Sequence, residues 1–245
     1  MHAILRYPPT RIMGRELAFF SSFAKGRKYP SFTPALIPEA AVLYLMRAPK
    51  NKEVQEIRQR VDDIAKGAAL MTGTTVEWEF IKACSNIVPN NRLEEVINAS
   101  MHEVPLPSYT DEERAFAKEM RSTVPLIDSS KQDLQNTLMP YEPSETYNPG
   151  SSDVGDVSWV CPYAQFNAAC WCADTPPHSW QLVAQGKTST AHKGMLYAAK
   201  VLAYSAIQVY ENPDIIEKAK EEHNNRTNNS YECPIPKGIK PRVIR

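Results

Sequence analysis

His178 closes the run Ala173-Asp174-Thr175-Pro176-Pro177-His178. Two prolines fix the backbone before it, so little conformational freedom is lost in holding its ring in one orientation. That makes His178 a candidate functional group; the plainer reading is a surface loop histidine. Asp153 and Asp156 flank Gly155 in a Gly/Ser/Asp-rich turn. Carboxylates placed so can orient a ligand histidine, ligate directly, or only cap the turn. His192 stands at the start of a long helical stretch and either faces a site or sits in the first turn. His2, His102 and His223 lie in charged or unplaced contexts and are expected in solvent. Cys161, Cys170 and Cys172 with His178 do not read as a zinc knot, because Cys170-x-Cys172 lacks the two-residue knuckle spacing. Buried free cysteines are the better reading. There is no Gly-rich phosphate loop, no G-x-S-x-G elbow and no H-E-x-x-H pair. A catalytic metal takes about three protein ligands, so these residues alone describe an incomplete site.

The elements that must position these groups read as mixed α and β. Ala40 to Met46 is a short apolar run with β-formers and reads as a buried strand. Asn51 to Thr72 places Val54, Ile57, Val61, Ile64, Ala65 and Ala68 at helical spacing, and Gly73 punctuates its end. Thr74 to Ile81 alternates as a half-buried strand should. Strand, helix and strand at this spacing form a compact α/β half-motif. Helices are predicted over Arg92 to Met101 and over Asp111 to Met120, the second capped by Thr110 with Glu113 three residues on. Residues 121–150 are polar, with four prolines, and read as a long surface loop that is either functional or a covering arm. The Gly/Ser/Asp turn then runs into an extended segment towards Val160. Phe166 to Ala173 reads as a buried strand ending at the His178 turn. Thr188 to Thr190 cap a helix from Ala191 to Tyr210, apolar around much of its circumference and expected to be largely buried. A charged helix follows Asn212-Pro213-Asp214 and ends near Glu222. Residues 1–33 carry no clear period.

Bulk properties exclude some functions. The 245 residues carry 28 basic and 28 acidic side chains, a net charge of zero. That gives no footprint for nucleic acid or an anionic membrane. No stretch approaches the roughly 20 apolar residues of a membrane span, and the N-terminus lacks the h-region and cleavage site of a signal peptide. Five cysteines in a chain this long do not make a disulfide scaffold. The expectation is a cytoplasmic protein, with 20 prolines against 9 glycines favouring loop-rich connections.

Three stretches carry a specific resemblance: GSSDVGDVSWV (150–160), ACWCADTPPHSWQLVAQGKTSTAHKGMLYAAKVLA (169–203) and CPIPK (233–237). They resemble the aminoacylase and carboxypeptidase group of metallopeptidases, and AVLYLMRAP (41–49) with IAKGAALMTGTTVEWE (64–79) resembles its lid. The resemblance covers residues 34–245. It implies an α/β fold: the C-terminal part of a zinc-peptidase-like catalytic domain (86–245), the second half of a ferredoxin-like lid and dimerisation domain (34–85), and an unmatched segment (1–33). It implies amide hydrolysis on an N-acyl amino acid, with a divalent metal, zinc or manganese, and a glutamate base. His178 matches a metal-ligand histidine, and Arg47 matches a lid arginine that holds the substrate carboxylate, a use suited to a forked donor. Asp153, Asp156 and His192 are left in supporting roles. The family's other ligands and its base lie in an N-terminal half with no counterpart here, and its lid Asn-Val-Val segment is replaced around Pro34-Ala35-Leu36. The expectation is therefore a truncated or frame-shifted fragment, inactive alone and holding metal incompletely. Its partners would be an identical copy or the missing N-terminal half. The alternative is a non-catalytic assembly module that pairs with that half or with an intact relative. A small structural zinc protein built on the cysteines is a third, weaker reading.

Overall fold

The computed structural model describes residues 41–143 and 152–240, together with the backbone of residues 2–6. The chain divides into two compact units. The first comprises Met1–Ile87, Thr146–Val160 and Ser230–Arg245; the second comprises Val88–Glu145 and Cys161–Asn229.

The first unit is built on a three-stranded sheet. Strands β1 (His2–Arg6), β2 (Ala41–Leu45) and β3 (Glu77–Phe80) are ordered β2-β1-β3. Both outer strands run antiparallel to β1, with Ile4 opposite Leu43 on one side and Glu79 on the other. β2 and β3 are therefore parallel to each other and linked by helix α1 (Asn51–Thr72), a split β-α-β arrangement. The central strand falls in the N-terminal stretch where the sequence shows no period. Helix α1 matches its expected span, and Gly73 ends it in the left-handed conformation at φ 64°. Glu53 secures its start by accepting from the Lys50 amide at 3.0 Å. Arg58 lies over the Phe80 ring and Lys66 over the Trp78 ring, each 5.5 Å from the centroid. The helix thus lies over the β3 face that carries Trp78 and Phe80, and the pairing register puts Val42 and Tyr44 on the same face. Leu43 and Leu45 point the other way and are exposed, so β2 is half-buried rather than buried as its composition suggests.

The first unit also contains a departure from expectation. Residues Val154–Val160 form helix α4, not an extended segment. The turn at Ser152 and Asp153 continues, with the Asp156 and Val157 amides both donating to the Asp153 carbonyl at 3.0 and 3.3 Å. Valine and tryptophan favour strands, but this local ladder overrides propensity.

The second unit is helical among its described residues: α2 (Asn91–Glu103), α3 (Asp111–Ser122), α5 (Trp180–Gln185), α6 (Ser189–Glu211) and α7 (Pro213–Thr227). Asn90 caps α2, accepting from the Leu93 amide at 3.1 Å and donating to the Ala219 carbonyl of α7 at 2.8 Å. Thr110 and Glu113 form the expected capping box on α3. One core packs Ile97 and Val104 against Tyr197 and Val201, and Tyr197 donates its hydroxyl to the Met101 carbonyl at 2.9 Å. A second core joins Tyr109, Ala117 and Met120 to Leu134 and Cys172. Leu134 lies in the long loop, which is therefore anchored in this core at that residue.

Three expectations are corrected here. Residues 166–173 pair with no described strand; they run as irregular chain across α6, where Gly194 leaves room for the Ala169 carbonyl. Helix α6 is not largely buried: Met195, Leu196, Leu202 and Ile207 are exposed beside the buried Tyr197 and Val201. His223 is buried on α7 rather than in solvent, whereas His102 is exposed. The side chain of His2 lies outside the described residues.

Candidate functional site

The turn that carries His178 is held at both ends by side chains. At its start Cys172 is fully buried, and its amide donates to Gln185 Oε1 at 2.8 Å. Gln185 in turn donates to Thr175 Oγ1 at 3.1 Å, and Thr175 donates to the Cys172 carbonyl at 2.8 Å. At its end Ser179 caps α5 through the Leu182 amide and donates to the Pro176 carbonyl at 2.7 Å. His178 itself is exposed and adopts φ 57°, and Asp174 adopts φ 62°. Both are left-handed conformations uncommon for residues with a side chain. Such geometry persists where surrounding bonds over-determine it, and it concentrates at functional turns.

Asp174 is the anchor of this turn. Its carboxylate accepts from Arg121 Nη2 at 2.7 Å, Lys131 Nζ at 2.9 Å and the Asp128 amide at 2.9 Å. Arg121, buried at the end of α3, also donates to Asp133 Oδ1 at 3.0 Å and to the Lys131 carbonyl at 2.9 Å. The Arg121 guanidinium, then Lys131 and the Asp128 amide, hold the Asp174 carboxyl well below the usual carboxylate range. The turn bearing His178 is thus fastened to the loop after α3. Neither Arg121 nor Lys131 stands out in the sequence, because each lies more than forty residues from Asp174.

A cavity of about 610 Å³ lies in the same unit, walled by Tyr109, Tyr141, Phe166, Tyr197, Glu94 and Asp174 among others. Tyr141 donates to the buried Glu94 at 3.3 Å. Burial and the Glu94 charge push its hydroxyl up to about 12. Among the described residues no histidine or cysteine lines this cavity. His192 lies on the first turn of α6 and is exposed. Next to it in the fold, Glu113 receives Ser189 Oγ at 2.6 Å and Lys193 Nζ at 2.7 Å, which joins α3 to α6.

In the first unit, Arg47 lies two residues beyond β2 and is exposed. Asp153 is exposed just before α4 and accepts from Ser152 Oγ at 3.1 Å. Asp156 does structural work: it accepts from Ser85 Oγ at 2.6 Å, from the Ser85 amide at 3.3 Å and from the Tyr231 hydroxyl at 2.9 Å. Burial and then Asp156 push the Tyr231 hydroxyl above its ordinary value. A Cβ on Gly155 would lie 2.0 Å from the Ser85 carbonyl, so α4 can approach residues 85–86 only with glycine there. Among the described residues, no three His, Cys, Asp or Glu side chains converge on a point where a metal ion would sit. His178 therefore offers one donor, and the described residues do not make up a complete metal centre.

No model of a known protein family matches the chain. Over 232 residues it is 39% identical to a subunit of the p-aminobenzoyl-glutamate hydrolase of Escherichia coli (strain K12), covering 84% of this chain and 48% of that protein. The chain is a relative of this hydrolase subunit. It is also similar to the Xaa-Arg dipeptidases of Mus musculus (27% over 193 residues) and Homo sapiens (26% over 196 residues), covering 77% of this chain and 37% of each dipeptidase. The chain spans about half the length of the bacterial relative and just over a third of the dipeptidases. These relatives are thus a hydrolase component and two peptidases, and no described helix is long and apolar enough to cross a membrane.

Proposed function

We propose that this chain is one part of a metal-dependent amidohydrolase that cleaves the amide bond of an N-acyl amino acid of the aminobenzoyl-glutamate type. The observation that carries this reading is the 39% identity to the E. coli hydrolase. In it, His178 is one ligand of a divalent metal, zinc or manganese. Its left-handed turn, fastened through Asp174 to Arg121 and Lys131, holds the backbone that presents the ring. Arg47 receives the free carboxylate of the substrate through a bidentate contact. Asp153, Asp156 and His192 support their local structure without touching the reacting atoms. When bound, the metal would supply Lewis-acid polarisation and an activated water. The remaining ligands and the base belong to the part of the relative that this chain does not span.

The polypeptide of these 245 residues is accordingly expected to be inactive alone. The test is release of p-aminobenzoate from aminobenzoyl-glutamate, followed with metal content, for the chain alone and co-expressed with the unmatched half of the E. coli relative. Zinc-dependent hydrolysis by the chain alone would overturn the reading. So would a co-expressed His178→Ala variant that keeps its full metal content.

A further inference from the structure

Helix α6 presents an apolar face that no described residue covers. Met195, Ala199, Leu202, Ala206 and Tyr210 follow one another at three- and four-residue spacing and are all exposed. Leu196, Ala203 and Ile207 form a second exposed row beside them, interrupted by Lys200. The large side chains of these rows are between 51% and 84% exposed. On the opposite face Gly194, Tyr197, Val201 and Ser205 are buried, so α6 is apolar on both sides and covered on one. A surface helix of a finished domain ordinarily has a charged outer face. An apolar face this long marks a missing layer.

The dimensions and composition indicate what the layer is. From Met195 to Tyr210 the face runs about 22 Å at 1.5 Å per residue. That is the width of four or five strands at about 4.8 Å spacing. Helical layers in α/β domains bury such faces on a sheet, and the described residues of this unit contain no strand. The three small residues Ala199, Ala203 and Ala206 let a flat surface come close. The bacterial relative has about half its length outside the match, enough polypeptide to supply a sheet. We infer that the exposed face of α6 is a docking surface for a β-sheet formed by polypeptide equivalent to that unmatched half. This rests on the relationship that underlies the proposed function, and names the surface through which the two halves join.

The test places a photo-crosslinking residue at Leu202 in the full chain, co-expressed with the unmatched half of the E. coli relative as a separate polypeptide. A crosslink from position 202 into that polypeptide is expected. The double variant Met195→Glu/Leu202→Glu should cut co-purification by about thirtyfold, the scale of a central interface position. Both substituted residues are exposed, so helical content should be unchanged. The inference is overturned if position 202 crosslinks to a second copy of this chain or to residues 7–40 of its own, or if the halves do not associate. The readout does not depend on catalysis. A crosslinked complex without hydrolysis counts against the proposed activity alone, and hydrolysis without this crosslink counts against the docking surface alone.

Discussion

The same substitution, glycine to alanine in a helix interior, should have opposite signs at two positions of this chain. In an exposed helix alanine is better than glycine by about 0.8–1.0 kcal/mol. Gly67 in α1 shows that gain without a penalty, because an added Cβ would meet nothing within 4 Å. Gly194 in α6 differs. Its Cβ would lie 2.2 Å from the Ala169 carbonyl oxygen and 2.8 Å from Cys170 Sγ. The first contact is backbone and cannot rotate away, so the 169–170 segment must move by about an ångström. Overpacking of this kind costs about 1–3 kcal/mol, and displacing backbone sets the cost at the upper end. After the propensity gain is subtracted, Gly194→Ala should destabilise by about 1–2 kcal/mol, while Gly67→Ala should stabilise by about 0.8 kcal/mol. Urea unfolding followed by circular dichroism measures both, with the midpoint moving and the slope unchanged. The displaced segment leads to Asp174, so Gly194→Ala should also raise protease sensitivity around residues 172–178. If Gly194→Ala stabilises the chain as Gly67→Ala does, α6 does not support the crossing of residues 169–170.

Two further outcomes follow from the second unit. Asn90→Ala removes the α2 cap, about 1 kcal/mol, and the 2.8 Å bond to the Ala219 carbonyl, about 0.5–1.5 kcal/mol because that carbonyl keeps its place in the α7 ladder. The sum, about 1.5–2.5 kcal/mol, should be read by denaturant unfolding; Asn90→Asp keeps the cap oxygen and should lose only part of it. Against the cost of desolvation, Lys193, Ser189 and the Thr110 amide hold Glu113 down at about 2, from an ordinary value of 4.5. A depressed carboxylate contributes stability above its unfolded value that is lost as pH falls through the folded one. Stability should therefore decline between about pH 4.5 and 2 as the α3 to α6 join loosens. Glu113→Gln should be less stable at neutral pH and show a shallower decline over that window; an unchanged acid profile would refute the assignment.

Much of the local structure is legible in the sequence. Helix α1 begins and ends where its apolar spacing and Gly73 place it, and Thr110 with Glu113 marks the start of α3. These are short-range signals, set by side chains three or four residues apart. What is not legible depends on distant partners. Strand β1 carries no period because the signal of a strand is its pairing, and its partners lie dozens of residues away. Residues 166–173 have the composition of a strand but no described strand to pair with. Val154–Val160 coil up because of the Asp153 turn, against their propensity. At the candidate site, His178 stands out by its prolines, whereas Arg121 and Lys131 are found only through their contact with Asp174. Ser85 and Tyr231 likewise gain meaning only from Asp156.

The two left-handed residues that bracket Pro176 and Pro177 bear on how the chain assembles. Taken alone, the 174–178 turn is uphill, by about 1–2 kcal/mol at His178 and by less at Asp174, whose short polar side chain tolerates the left-handed region. It becomes favourable only after Arg121 and Lys131 are in place to receive Asp174. The turn is therefore expected to form on the native side of the folding barrier. Substitutions in it should speed unfolding while leaving the refolding rate almost untouched. The segment that presents the candidate ligand would in that case raise the barrier to unfolding without setting the speed of folding.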